Sequence, residues 1–328
     1  MSSNIDVANP CGYCKVKNSE VLYPTDDIFG NSYNINRCLS CKAYFLAPYP
    51  DYELLAKAYG DDYYGEGKEK FDESWIERLL DRFRNRRANL VKKYIPKTGK
   101  VLDIGCGNGR FLGLLNKTGT YEIYGLEMEG GSAERAVTVP NIELKIGALT
   151  ASDYLSEYFD AITLFHVFEH LSEPKKYLEI ISDIIRPNGI LVISIPNIAS
   201  WQAKLFKGRW FHMDAPRHLF FFSPKDLKQH LARMGFELIK EKHFNLEYNP
   251  YGTQQSILNC LLKKREVLYE ALKGNKQYTR EYSKLNLFFQ QLFFKLTGPL
   301  FIAFDGIESS FRKGGTVEFV FRKTTTGS

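Results

Sequence analysis

The chain has 328 residues, 44% hydrophobic and 25% charged, with 44 Lys and Arg against 38 Asp and Glu for a net charge of +6. That length accommodates about two domains at ~150 residues each, and the composition excludes a disordered, collagenous or disulfide-dense chain. So mild a basic balance admits a polyanionic partner or an anionic membrane surface without arguing for either; more distinctive is the 14% aromatic content, with 24 Phe and 20 Tyr.

In chain order, the N-terminal MSSNIDVANPCGYC lacks a charged segment leading into an apolar one, so no secretory leader is expected and a reducing cytoplasm is the expected compartment. Four of the six cysteines form two pairs of equal spacing, Cys11-Gly-Tyr-Cys14 and Cys38-Leu-Ser-Cys41. In a reducing compartment such pairs read as metal ligands rather than disulfides. Two knuckles of this kind bring four thiolates around one Zn2+ with every position filled by protein, so the expected role is structural. Residues 1–50 are otherwise poor in periodic apolar runs, as in a module whose core is too thin to fold without an ion. The connector that follows holds Tyr59, Tyr63 and Tyr64.

Between Phe71 and Tyr94 apolar residues recur with a helical period, with Arg78, Arg82, Arg84, Arg86, Arg87, Lys92 and Lys93 between them. Those cations are expected on a solvated face. Strands are then expected at 100–104, 121–127, 142–146, 159–165 and 190–195, alternating with helices at 110–116, 132–137 and 175–185. Such alternation implies a parallel, doubly wound α/β sheet. A helix at 224–234 and a strand at 236–244 extend it, and Thr316 to Arg322 alternates with period two as an expected edge strand. The aromatic run from Leu285 to Phe304 is interrupted by Lys295, the Gln290-Gln291 pair and Gly298-Pro299, which argues against a membrane span. Packing on the rest of the chain is its expected use, with contact at the inner face of a membrane the alternative.

The central motif is Val101-Leu-Asp103-Ile-Gly105-Cys106-Gly107-Asn-Gly109, a buried strand breaking into a glycine-rich turn that opens a helix. Glycines there let the backbone pass close beneath a ligand, and a helix N-terminus offers unpaired N–H groups. Glu127 ends the next strand, where an acid can accept both ribose hydroxyls of a nucleoside. These residues resemble motif I and the following acidic position of the class I S-adenosylmethionine-dependent methyltransferases. The resemblance implies a Rossmann-like sheet and S-adenosylmethionine as cofactor. Gly105, Cys106, Gly107 and Gly109 would lie beneath it, Asp103 would face its amino-acid end, Glu127 would hold its ribose and Phe165 would line the same site. A nicotinamide-binding oxidoreductase is the rival, and the Asp-x-Gly-x-Gly-x-Gly form favours the methyltransferase. The likeness continues through His166-Val-Phe-Glu169-His170, Arg186-Pro-Asn-Gly189 and Pro216-Arg-His218, nearly the whole chain. It departs at Gly147-Ala148-Leu149, where the acid that often meets the adenine is missing, leaving adenine contacts to backbone at Ala148 and Leu149.

Positions 166, 169 and 170 would share one helix face at the mouth of the sheet, with His218 joining from a later loop. In one reading His170 takes a proton from an acceptor hydroxyl while Glu169 orients the imidazole. In another, the cluster holds a divalent metal, as resembling Glu-x-x-Glu-His segments do in ubiquinone-biosynthesis O-methyltransferases and small-RNA 2′-O-methyltransferases. His166 stands where those have the first Glu, which disfavours the hard ion magnesium. In a third, the cluster only braces a loop.

The N-terminal pattern of cysteine pairs, Pro48-Tyr-Pro50 and tyrosines resembles the zinc-binding front of bacterial sugar and O-antigen methyltransferases. That resemblance implies that Tyr59, Tyr63 and Tyr64 close over the acceptor, with Trp210 in an acceptor-binding loop. The expected organisation is a zinc module over 1–50, a connector and helix over 51–98, the sheet domain over 99–245 with 315–324, and a helical insertion over 246–314. The expected function is methyl transfer to a hydroxyl, or a carbon, of a sugar or glycolipid-type acceptor. The alternative is metal-assisted O-methylation of RNA or of a small phenolic or quinone precursor. Nucleic acid is not an expected partner, and a zinc-dependent interaction module with a non-catalytic sheet is the non-enzyme alternative.

Overall fold

The computed structural model describes residues 5–6, 8–59 and 74–325. The chain divides into two units, one of Met1–Asp72, Pro196–Asp226 and Lys242–Val317, the other of Glu73–Ile195, Leu227–Glu241 and Glu318–Ser328.

In the first unit, strands β1 (Ile5–Asp6), β2 (Ser19–Asp26), β3 (Ser32–Cys38), β4 (Tyr44–Ala47) and β10 (Phe220–Phe221) form an antiparallel sheet in the order β1-β2-β3-β4-β10. The first 50 residues thus hold a sheet, which their weak periodicity concealed. Its core comes from far along the chain: Ile35 and Leu46 pack with Ile198, Ala203, Trp210, Met213 and Phe221. Helices Asn249–Leu261, Val267–Leu272, Lys276–Thr279 and Lys284–Ser310 belong to the same unit. Buried Arg265 ties them to the sheet region by donating to Thr25 Oγ1 (2.9 Å) and to the carbonyls of Asp26 (3.0 Å), Gly208 (2.7 Å) and Trp210 (3.0 Å). The expected packing of the 285–304 run forms only in part: Phe294 meets Tyr251 edge-to-face and Phe304 lies near Trp201, but the buried residues of helix Lys284–Ser310 are Gln290, Asp305 and Glu308.

The second unit carries β5 (Lys100–Ile104), β6 (Glu122–Glu127), β7 (Ile142–Ile146), β8 (Phe159–Phe165), β9 (Ile185–Pro196), β11 (Phe236–Lys242) and β12 (Thr316–Lys323) in the order β11-β12-β9-β8-β5-β6-β7. β5 pairs in parallel with both β6 and β8, β6 with β7 and β8 with β9. Helices Arg110–Asn116, Gly131–Val137 and Pro174–Ile184 are the crossovers that parallel pairing requires. Strand order reverses between β5 and β8, and the ends of these two strands carry the glycine turn and the His166 segment. A sheet of this kind presents its ligand crevice at that reversal. One expectation is corrected: β12 is not an edge strand but lies between β11 and β9. It is hydrogen-bonded on both sides, where an edge strand leaves one row of N–H and C=O groups unpaired, and Thr316, Val317, Phe319, Val320 and Phe321 are all buried.

Candidate active site and metal centre

Asp103 sits directly opposite Thr163 across the β5–β8 pairing, and the Thr163 hydroxyl donates to its Oδ1 at 2.6 Å. Burial pushes the Asp103 carboxyl up to about 7, against the pull of that hydrogen bond. Sequence reasoning missed Thr163; its signal was a lone hydroxyl in the otherwise apolar Ala161-Ile-Thr163-Leu-Phe165. Gly105, Gly107 and Gly109 all take left-handed backbone, with φ of 69°, 58° and 70°. A side chain at Gly105 would strike Val167, its Cβ falling 2.4 Å from Cγ2, whereas one at Gly107 would meet nothing within 4 Å among the described residues. At the end of β6, Glu127 accepts from the N–H groups of Gly107 (2.6 Å) and Met128 (3.0 Å). Burial raises its carboxyl despite those two donors. The residues present therefore fit a nucleoside cofactor: an open glycine turn, an acid seated against it, and a second acid buried at the adjoining strand end.

Cys106 is buried beside the turn. Phe165 ends β8 edge-to-face with Phe111, ring centroids 5.2 Å apart, and the Arg87 guanidinium lies 4.9 Å over its ring. The cationic helix Ser74–Val91 is thus not wholly solvated. Arg82 and Arg86 are exposed, but Arg87 folds onto Phe165, Arg84 pairs with Asp81 at 2.8 Å, and the other oxygen of Asp81 meets Arg110 at 2.6 Å. At the third strand's end, Leu149 is buried and its N–H donates to the Tyr177 hydroxyl at 3.1 Å, while Ala148 is exposed.

The His166 to His170 segment is not one helix face. His166 takes left-handed backbone (φ 56°) before a single 3-10 turn, Phe168–His170, and its N–H bonds the Ser194 carbonyl of β9 at 3.0 Å. The left-handed residue turns the His166 side chain back toward the turn, so His166 Nδ1 still lies 3.4 Å from Glu169 Oε1. A carboxylate oxygen of Glu169 and a ring nitrogen of His170 also lie within 4.8 Å of each other. Glu169, 1% exposed, is a buried carboxylate beside two imidazoles.

His218 belongs to the first unit, where its Nδ1 is 2.7 Å from the His212 carbonyl and its Nε2 is 3.8 Å from Asp214. Trp210, expected in an acceptor-binding loop, is fully buried there against His212 and Phe221. Its indole is core and presents no face to a ligand, because Ile35, Leu46 and Met213 need a large apolar partner to close over. Tyr59 caps the helix Tyr52–Ala58, and its N–H bonds the Leu55 carbonyl. Tyr63 and Tyr64 lie outside the described residues.

The four cysteines converge. Their sulfurs all lie within 4.8 Å of one another, with Cys11 and Cys41 3.5 Å apart and Cys14 and Cys38 3.6 Å apart. Sulfurs at ~2.3 Å around a tetrahedral ion stand ~3.8 Å apart, so the set fits one divalent ion. The two knuckles are alike in backbone: each is followed by a left-handed lysine, Lys15 (φ 62°) or Lys42 (φ 65°), whose N–H bonds back to the carbonyl of Cys11 or Cys38. The hydrogen bond between Cys41 and Cys11 holds the Cys11 thiol well below its usual range and Cys41 above it.

A family described as a methyltransferase domain matches residues 72–241, just over half of the chain. Among curated relatives, a mitochondrial ubiquinone biosynthesis O-methyltransferase of Dictyostelium discoideum is 23% identical over 210 residues, 57% of this chain and 65% of that protein. A ubiquinone biosynthesis O-methyltransferase of Ruegeria pomeroyi is 28% identical over 174 residues, 48% of this chain and 67% of that protein. The match thus spans slightly less than two thirds of the Dictyostelium relative. Among solved structures, a putative sarcosine dimethylglycine methyltransferase from Galdieria sulphuraria aligns over 82% of this chain and 98% of its own, with a TM-score of 0.49 and 15% identity. With the parallel sheet, the glycine turn after β5 and the acid ending β6 already in place, the chain belongs to the methyltransferase-domain family, and its sheet is that of the class I S-adenosylmethionine-dependent methyltransferases.

Proposed function

We propose that this protein transfers a methyl group from S-adenosylmethionine to a hydroxyl of a small phenolic or quinone-type acceptor, with His170 taking the proton. The observation that carries the cofactor half is the Glu127 carboxylate seated on the Gly107 and Met128 N–H groups beside an open glycine turn. When bound, the cofactor supplies a methyl group made electrophilic by its sulfonium. Asp103 holds the ammonium end, Gly107 admits the cofactor close to the backbone while Gly105 makes room for Val167, and Glu127 accepts from the ribose hydroxyls. Leu149 walls the adenine side with its side chain, since its N–H is already taken by Tyr177. His170 removes the acceptor proton and Glu169 steadies the imidazolium that results. The chain's remaining task is alignment of the attacking oxygen.

The phenolic or quinone acceptor is preferred to the sugar-type one because the ubiquinone biosynthesis O-methyltransferases are relatives of this chain, and no relative described above acts on a sugar. The cysteine set holds Zn2+ in a structural role, since four thiolates leave it no open position. Labelled S-adenosylmethionine offered with catechol, quinol and sugar acceptors tests the reading: label in the phenolic products supports it, and label only in glycans overturns it. In the same assay His170→Ala lowers kcat by roughly 10²- to 10⁴-fold with cofactor Kd unchanged; an unchanged kcat removes the base assignment. Glu169 and His170 lie near enough for metal assistance, so a saturable rise in rate with added Mg2+ or Mn2+ would move their role to metal ligation.

A further inference from the structure

Helix Lys284–Ser310 is long and apolar enough, by length and composition, to cross a membrane, yet almost none of its apolar stretch is buried in the protein. The residues it buries are polar, Gln290, Asp305 and Glu308, although Phe294 also turns inward onto Tyr251, whereas the amphipathic helix of a globular domain buries its apolar residues. On the inner face, Gln254 of helix Asn249–Leu261 donates to Thr297 Oγ1 and to the Phe294 carbonyl, both at 2.8 Å. Asn249 donates to Asp305 at 2.6 Å, and Gln202 to Glu308 at 2.8 Å. The opposite face is a row at three- and four-residue spacing, Leu285, Phe289, Leu292, Leu296, Leu300, Ala303 and Ile307. Of these, Leu285, Phe289, Leu296, Leu300 and Ile307 are each between 53% and 70% exposed.

We propose that this outer face seats the protein on an anionic lipid bilayer, with the helix lying in the plane of the interface. Charge selects the occupant. The two acids of the helix, Asp305 and Glu308, are buried and hydrogen-bonded inward, so between Ser283 and Lys313 the exposed ionised groups are all cations: Lys284, Lys295 and Arg312. Glu281, just before the helix, is paired with Lys264 at 2.7 Å. Lysines beside an apolar stripe lay their stems along it and reach headgroup phosphates with the ammonium. A row of about 33 Å with no polar atom among its side chains suits acyl chains. Protein interfaces instead intersperse hydrogen bonds, about one per 100–200 Å². The polar inner face also sets the depth, because Asp305 and Glu308 keep their partners only while that side stays on the protein. The placement is independent of the acceptor's chemistry and of His170.

Sedimentation of the full chain with vesicles tests it. Phosphatidylcholine vesicles containing phosphatidylglycerol carry the protein down. Leu296→Glu/Leu300→Glu weakens partitioning by roughly tenfold or more while cofactor binding and thermal unfolding match the parent. Lys284→Gln and Lys295→Gln each weaken it by roughly fivefold, and only on the anionic vesicles. The proposal is overturned if the chain stays in the supernatant with these vesicles, or if the Leu296→Glu/Leu300→Glu variant sediments like the parent. It is also overturned if ultracentrifugation shows a dimer that the same variant turns into a monomer, which would give the face to a second copy.

Discussion

Gly105 and Gly107 stand two residues apart in similar left-handed backbone, yet alanine should do different things at each. Both substitutions carry the left-handed cost of an L-residue, about 1–2 kcal/mol. At Gly105 the added methyl would also sit 2.4 Å from Val167 Cγ2 and 2.9 Å from Cγ1. A valine has one strongly preferred rotamer and cannot swing aside cheaply, so overpacking adds about 1–3 kcal/mol. Gly105→Ala is therefore expected to lose about 2–5 kcal/mol of stability in denaturant unfolding, and Val167→Ala in the same chain should recover the overpacking part. At Gly107 none of the described residues beyond its chain neighbours lies within 4 Å of the added methyl, so only the backbone cost appears in unfolding. The methyl instead enters the space assigned to the cofactor. Calorimetry with S-adenosylmethionine should show Gly107→Ala losing tenfold or more in affinity, about 1.4 kcal/mol. Equal destabilisation by the two alanines, or no rescue by Val167→Ala, would refute the steric argument. Parental affinity in Gly107→Ala would refute the placement of the cofactor.

Asp103 provides a pH test. Its carboxyl rises from the ordinary 3.8 to about 7 on folding, so the folded state favours the proton. Its contribution to stability is full below about pH 4 and is lost as pH climbs through 7, up to about 4 kcal/mol at ~1.4 kcal/mol per tenfold. Asp103→Asn should flatten that decline in urea midpoints measured from pH 4 to 8. Cofactor affinity should run the other way and rise with pH across 7, because only ionised Asp103 attracts the ammonium; a flat wild-type profile would remove that role. Cys38→Ser should lower bound zinc from one ion per chain and abolish cooperative unfolding of the first unit, since binding free energies of ~10 kcal/mol or more in such sites are folding free energy. Identical unfolding with and without zinc would contradict this. Arg265→Met strands the four acceptors that Arg265 serves, and about 3–5 kcal/mol should be lost; a change under about 1 kcal/mol would mean water replaces the guanidinium there.

How much was legible in the sequence depended on how local the physics was. The β5 strand, its glycine turn and the acid ending β6 could be read directly: a short apolar run, three glycines in positions that need left-handed backbone, and a carboxylate at a strand end are local facts. The same holds for the two knuckles, where equal Cys-x-x-Cys spacing marks one small structure used twice. The alternation that made the sheet parallel was legible because buried strands and amphipathic crossovers differ in period.

Tertiary structure alone decided the rest, where a residue's use depends on a partner far away in the chain. Phe220 and Phe221 complete a sheet begun at residue 5, and Trp210 becomes core because that sheet needs a cover. β12 enters the interior of the other sheet although its alternating pattern equally suits an edge, since period two says which residues share a face and not which strands pair on either side. Thr163 acquires its meaning from the strand register that sets it against Asp103. Helix Lys284–Ser310 makes the point most fully. Its sequence determined an apolar run interrupted by Gln290, Gln291 and Lys295, but only the hydrogen bonds from Asn249, Gln202 and Gln254 decided which side faces inward, leaving Leu285, Phe289, Leu296, Leu300 and Ile307 exposed.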